Sequence, residues 1–175
     1  MNIVVFDAKP YDIEFFEKWN KQYGARITYY SEKLTLKTAA VLTKYQDVVC
    51  TFVNDDLNEK VIEILSRNGV RAVAIRAAGY NNVDIRAAYH NRVTVFRVPA
   101  YSPYAVAEHA LALLMTVNRK TNKAYNRTRE GNFSLVGLTG IDLNGKTAGV
   151  IGTGKNSENF YKNIKWIRNE LNSVR

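Results

Sequence analysis

Three stretches of this 175-residue chain carry residue types whose spacing could do chemistry. The first is Gly152-Thr153-Gly154, directly after the β-branched, apolar run Thr147 to Ile151. A strand running into Gly-x-Gly opens a dinucleotide fingerprint. Its first glycine makes a tight turn, and its second lets backbone approach a pyrophosphate at a helix N-terminus. The third glycine of that pattern would fall at position 157, where the chain has Ser157. The second stretch is Arg76 to Asp84, RAAGYNNVD. Small residues and a glycine at a strand end leave backbone N–H groups free to hold an anion such as a carboxylate. The alternative is a plain strand-to-helix turn capped by Asn81 or Asn82. The third is Asp55-Asp56, which suggests a phosphoacceptor pocket. That pocket needs a lysine at the fifth strand end, where the chain has Arg97-Val98-Pro99, and its first-strand acids are reduced to Asp7. A receiver reading is set aside on those grounds.

Two histidines complete the inventory. His90 follows a short helix beside Asn91 and Arg92 and reads as a surface residue. His109 sits in an alanine-rich helix beside Glu108 and reads as a satisfied structural histidine, not a base or a ligand. No spacing of His, Cys, Asp and Glu resembles a metal site.

These residues need elements to hold them. Apolar, β-branched runs at Asn2–Phe6, Arg26–Tyr30, Asp47–Phe52, Arg71–Ile75 and Val93–Val98 predict five strands. Between them, helical periodicity covers Tyr11–Tyr23, Thr35–Leu42, the run after Asn58 to Asn68-Gly69, and Val83–Tyr89. Strand and helix in alternation with short connections predict an α/β fold, a flavodoxin-like doubly wound parallel sheet. Ligands of such sheets sit beyond the carboxyl ends of the strands. There the chain has Asp7–Lys9, Thr51–Asp56, Arg76–Asn82 and Pro99–Ser102. From Ser102, an N-cap followed by Pro103, a long and mostly buried helix is predicted. Arg119–Asp142 is polar and reads as an extended arm with anchors at Tyr125, Phe133, Leu135 and Leu138. After Lys155, Phe160, Ile164, Ile167, Leu171 and Val174 form one amphipathic helical stripe, with no closing strand predicted.

Composition bounds the rest. The chain is 46% hydrophobic and 23% charged, which excludes a disordered or low-complexity chain. No apolar run approaches the roughly 20 residues of a membrane helix. The start MNIVVFDAKP has no basic region and reaches Asp7 too early for a signal peptide. Cys50 is the single cysteine, so neither a disulfide framework nor a cysteine zinc site is available. A soluble, cytoplasmic protein is expected. The net charge is +9, with 14 basic and 11 acidic residues in 1–100 against 11 and 5 in 101–175. The cluster Arg119 to Arg129 alternates with Asn and Thr, as a solvated face does. Nucleic-acid binding through it is the weakest reading, because charge alone carries little.

Four stretches together resemble one family. They are TFVNDD (51–56), IRAAGYNNVD (75–84), RVPAYSPYAVAEHALALLMTVNRK (97–120) and AYNRTREGNFSLVGLTGIDLNGKTAGVIGTGK (124–155). In order and spacing they are similar to the NAD-dependent D-2-hydroxyacid dehydrogenases, the fermentative D-lactate dehydrogenases in particular. The resemblance implies a substrate-side domain at 1–100. It implies an interdomain helix, a dimerisation arm and the first strand of a Rossmann-type NAD-binding domain at 101–154. A divergent helical tail would fill 155–175. It implies that backbone amides at Ala78 and Gly79 hold the substrate carboxylate, that Tyr101 faces the substrate, and that Phe52 lines the pocket near its side chain. Gly152, Thr153 and Gly154 would hold the NAD pyrophosphate. The substrate class would be pyruvate and D-lactate, and the partner a second copy.

The family's reaction also uses a histidine paired with an acid, and an arginine on the substrate. None of the three has a match in this chain, and neither His90 nor His109 stands at the histidine's place. The match stops after Lys155. The expectation is therefore a dehydrogenase truncated within its coenzyme domain, with no catalytic residue and no activity by itself. The alternative is a noncatalytic dimerisation or binding module derived from that enzyme.

Overall fold

Strand β1 (Asn2–Val5) is followed by α1 (Pro10–Asn20), β2 (Arg26–Tyr29), α2 (Leu36–Leu42), β3 (Val48–Thr51), α3 (Glu59–Arg67), β4 (Ala72–Ile75), α4 (Ile85–His90) and β5 (Thr94–Arg97) in a computed structural model of the chain. It describes residues 1–165 and 170–174, the last five by backbone alone. The chain divides into two units, Met1–Tyr101 and Ser102–Arg175.

In the first unit the five strands form one sheet in the order β2-β1-β3-β4-β5, and all four ladders are parallel. The α/β class and the doubly wound sheet expected from the sequence are thus present. Register explains the core. Val4, Val49, Val73 and Val95 are partners in turn across four strands. Val4, Val49 and Val73 are fully buried, in the larger core cluster with Val61, Ile62 and Leu65 of α3. Successive strand residues face opposite sides, so the next row is Val5, Cys50, Ala74 and Phe96. That row faces α1 through Phe16, and its cover thins toward β5, where Phe96 is 58% exposed.

Local chemistry sets the helix ends. Asn58 caps α3 by accepting from the Val61 N–H at 3.1 Å. In α1 Pro10 opens the helix, and the Asp12 carboxylate accepts from the Lys9 N–H at 2.9 Å. Thr35 caps α2 by accepting from the Thr38 N–H. The cap of α4 is Asp84, whose Oδ1 accepts from the Ala87 N–H, and not Asn81 or Asn82. Asp84 takes the cap because the helix starts two residues later than the apolar pattern suggests, and Asn82 is engaged elsewhere.

In the second unit α5 (Pro103–Arg119) is capped by Ser102, and α6 (Thr121–Arg129) follows it across Lys120. β6 (Thr147–Ile151), α7 (Lys155–Lys165) and β7 (Glu170–Val174) come next. Three expectations are corrected here. The arm 119–142 is helical over Thr121–Arg129 and irregular only beyond it. The long helix is not mostly buried. Ala107 is its one buried residue, and Tyr104, Leu113 and Val117 stand exposed. Alanine-rich composition shows that a helix face is apolar, not that anything covers it. The tail is not one helix either. Phe160 and Ile164 lie on α7, while Leu171 and Val174 lie on β7, which pairs in parallel with β6 from Thr147↔Glu170 to Ile151↔Val174. Ile167 falls outside the described residues. The helical period holds only as far as the end of α7, and beyond it a short apolar run is ambiguous between helix and strand. The unit therefore holds a complete β6–α7–β7 crossover and not a lone strand.

No helix among the described residues is long and apolar enough to cross a membrane.

Candidate functional site

The turn after β4 is built from both of its neighbours. The Ala77 carbonyl accepts from the Val98 N–H at 3.1 Å, and the Ala78 carbonyl accepts from Arg97 Nη1 at 2.8 Å. Arg97 also lies over the Tyr80 ring, 5.3 Å from its centroid. Both carbonyls are thus drawn toward the end of β5. The N–H groups of Ala78 and Gly79 make no hydrogen bond among the described residues. A Cβ placed at Gly79 would meet nothing within 4 Å. An exposed pair of N–H groups with the carbonyls turned away is a receptor for an anion, and a carboxylate is the small anion that two adjacent amides fit.

Phe52 directly follows β3, beside this turn. It is held at every point where it can be held. Its N–H donates to Asp55 Oδ2 at 2.6 Å, and its carbonyl accepts from Asn82 Nδ2 at 3.2 Å. The Arg76 guanidinium lies 5.5 Å from its ring centroid. Arg76 further donates to the carbonyls of Phe6 and Asp7 at 3.1 and 3.2 Å and pairs with Asp12 at 3.5 Å. A hollow of about 210 Å³ lies at these strand ends, lined by Asp7, Lys9, Tyr11, Asp12, Phe52 and Arg76. It stands where the strand order reverses between β1 and β3, the switch point at which doubly wound sheets bind ligands.

The electrostatics divide two carboxylates. The hydrogen bond from Lys9 at 2.7 Å holds the Asp7 carboxyl below its usual value. Burial pushes the Asp55 carboxyl up, against the opposing pull of the Phe52 and Leu34 N–H groups it accepts from. Burial likewise raises the Cys50 thiol, although Arg76 Nη1 donates to its Sγ at 3.7 Å.

Of the residues expected to face substrate, Ala78, Gly79 and Phe52 gather at the carboxyl ends of β3 and β4, with Phe52 lining the hollow. Tyr101 is 63% exposed at the end of the first unit. His90 is exposed, as expected. His109 is exposed too, which corrects the reading of it as a packed structural residue, and the uncovered face of α5 is the reason. Neither histidine is hydrogen-bonded to a carboxylate among the described residues. No group of three metal-ligating side chains occurs among those residues. Sequence reasoning passed over Arg97, the hub role of Asp55 and the loop-anchoring role of Asn82. Nothing in the sequence distinguishes buried Asp55 from its exposed neighbour Asp56. Arg97 carried a signal, a cation at a strand end facing a glycine turn.

In the second unit Gly152 has φ +98, a conformation that a side chain resists. Ser157 stands where a third glycine was expected, and its Oγ would lie 3.8 Å from a Cβ on Gly152. Gly154 faces open space. A strand, a left-handed glycine, an unobstructed second glycine and the N-terminus of α7 are the parts a pyrophosphate cradle needs. The turn fits the phosphate part of a dinucleotide.

A family model described as D-isomer specific 2-hydroxyacid dehydrogenase, catalytic domain, matches residues 3–167. A 2-hydroxyacid dehydrogenase homolog of Schizosaccharomyces pombe is 51% identical over 155 residues, covering 89% of this chain and 46% of the relative. The apo structure of D-lactate dehydrogenase from Escherichia coli superposes with a TM-score of 0.91 at 44% identity, over 99% of this chain and 54% of that one. A D-lactate dehydrogenase of Lactobacillus jensenii, solved with NAD+, superposes at 0.72 with 25% identity, over 99% of this chain and 53% of that one. The chain spans about half the length of the curated relatives it matches. The family model covers all five strands of the first unit and continues through β6 and α7, and the chain belongs to the D-isomer specific 2-hydroxyacid dehydrogenases.

Proposed function

We propose that this chain is the substrate-side part, with the beginning of the coenzyme-binding part, of an NAD-dependent D-lactate dehydrogenase acting on pyruvate and D-lactate in the cytoplasm. The observation that carries this reading is the bared pair of N–H groups at Ala78 and Gly79, with both neighbouring carbonyls tied back. A 2-oxo acid presents its carboxylate there. Phe52 and Tyr101 face the rest of the substrate. Gly152, Thr153 and Gly154 take the coenzyme pyrophosphate on the N-terminus of α7. The bound NADH supplies the hydride. The residues of this chain bind and orient, and none of them is assigned the proton transfer. Without positioned acid–base and electrostatic groups, the hydride step loses most of its acceleration.

A chimera tests this. Residues 1–155 joined to the remaining half of the Escherichia coli relative should oxidise NADH in the presence of pyruvate, and should reduce NAD+ with D-lactate but not L-lactate. The 175-residue polypeptide alone, free of host dehydrogenase, should show no turnover. A folded chimera without activity sinks the reading, and turnover by the polypeptide alone sinks its noncatalytic half.

A second reading rests on a separate observation. Phe133, Leu135 and Val136 are each more than three-quarters exposed on the irregular segment after α6. That apolar surface suits a second copy of the chain, so the polypeptide is proposed to dimerise through it, with or without catalysis.

A further inference from the structure

We propose that Arg76 and Asn82 are positioning residues for the carboxylate loop, acting through Phe52; this rests on the reading of Ala78 and Gly79 given above. The two residues bracket the loop 77–81, and both reach the same neighbour. Arg76, immediately before the loop, covers the Phe52 ring at 5.5 Å. Asn82, immediately after it, donates to the Phe52 carbonyl at 3.2 Å and to the Asp55 carbonyl at 3.0 Å. Phe52 is itself fixed through its N–H by Asp55, whose other oxygen accepts from Leu34 N–H at 2.7 Å. The loop is therefore clamped at both ends to one residue, Phe52, directly after β3.

Arg76 does more than stack. Its fork donates to two carbonyls at the end of β1 and pairs with Asp12 of α1. Its side chain is only 13% exposed, and five fixed donors in a plane suit this use. Lysine would keep the charge, but its single ammonium cannot serve the two carbonyls that Nη2 takes, Cys50 beside Nη1 and Asp12 beside Nε, and also present a flat face to the ring. Asp7, whose carbonyl it takes, has a φ of +48, so the end of β1 is bent toward the guanidinium. The consequence is directional. With both anchors in place, the amides of Ala78 and Gly79 point one way before any ligand arrives, and a carboxylate does not have to order them.

The test uses the whole 175-residue chain, labelled with 15N, and oxamate as the probe. In the wild type, saturable shifts are expected at the Ala78 and Gly79 amides. Arg76→Lys and Asn82→Ala should each weaken oxamate binding roughly tenfold, the cost of ordering the loop on binding. Each should also lower the amide order parameters of residues 77–81 in the free protein. Asn58→Ala removes the cap of α3 in the same unit and touches none of these residues. It should change neither readout, which separates positioning from a general loss of stability. Unchanged affinity and unchanged loop order in both variants, with the wild type binding, overturn the positioning role. A wild type without any oxamate response at Ala78 and Gly79 overturns the carboxylate reading and takes the proposal with it, a result the first cannot imitate.

Discussion

Asp7 and Asp55 stand at neighbouring strand ends and are shifted in opposite directions. The Asp7 carboxylate, lowered by Lys9, contributes stability above the ordinary value of 3.8, and that contribution is lost as pH falls through its folded value. Asp55 has the other sign. Its raised folded value means the native state binds the proton more readily, so its contribution is full below 3.8 and lost as pH rises through the folded value. Carboxyl 13C titration should therefore show Asp55 protonating first on acidification and Asp7 last, and coincident titration would refute the assignment. Asp55→Asn retains one acceptor and turns an NH2 group on a backbone N–H, so it should cost about 1–3 kcal/mol in urea unfolding. The hydroxyl of Thr51 is buried without a hydrogen-bond partner among the described residues. Thr51→Val removes that unpaid desolvation and should raise stability by about 1 kcal/mol. At this scale the sequence was legible only where chemistry follows from type alone, as at Gly152. Burial separates Asp55 from Asp56, and burial is decided by elements distant in the chain.

The elements were more legible than the residues. β-branched runs and capping residues identify the five strands and most helix starts of the first unit. They do so because the inner strands β1, β3 and β4 contribute buried side chains to the core and each cap has a local reason, such as Asn58 on Val61. β7 was not legible. Its residues ELNSV carry one leucine and one valine, and only pairing with β6 makes them a strand. The crossover they complete gives the glycine turn a frame, and the turn can be tested. Gly152→Ala, forced to a φ of +98, should cost about 1–3 kcal/mol and weaken NADH binding as measured by fluorescence titration. A second glycine is needed for a different reason. A Cβ at Gly140 would run into the Asn118 carbonyl, while the Asn118 side chain holds the Ile141 backbone through both of its polar atoms. Gly140→Ala should therefore release the segment after α6 from α5, read as faster hydrogen exchange at Ile141.

For the molecule as a whole, the exposed apolar segment after α6 is the surface proposed above for a second copy. Arg127 pins it by donating to the Ser134 and Val136 carbonyls at 3.2 and 2.6 Å, which holds its side chains outward. Leu135→Glu should shift the polypeptide from dimer to monomer in sedimentation experiments, and an unchanged mass would remove this surface from the interface. The sheet order has a further effect, on synthesis. β1 is translated before the other four strands of its sheet, yet it is the inner strand between β2 and β3. It cannot be enclosed until Thr51 has emerged, so Ile3, Val4 and Val5 have at most β2 beside them until β3 is translated. Parallel pairing offers no hairpin to shelter them meanwhile. A stalled nascent chain carrying only β1 through α2 should therefore bind trigger-type chaperones, and one extended through β4 should release them.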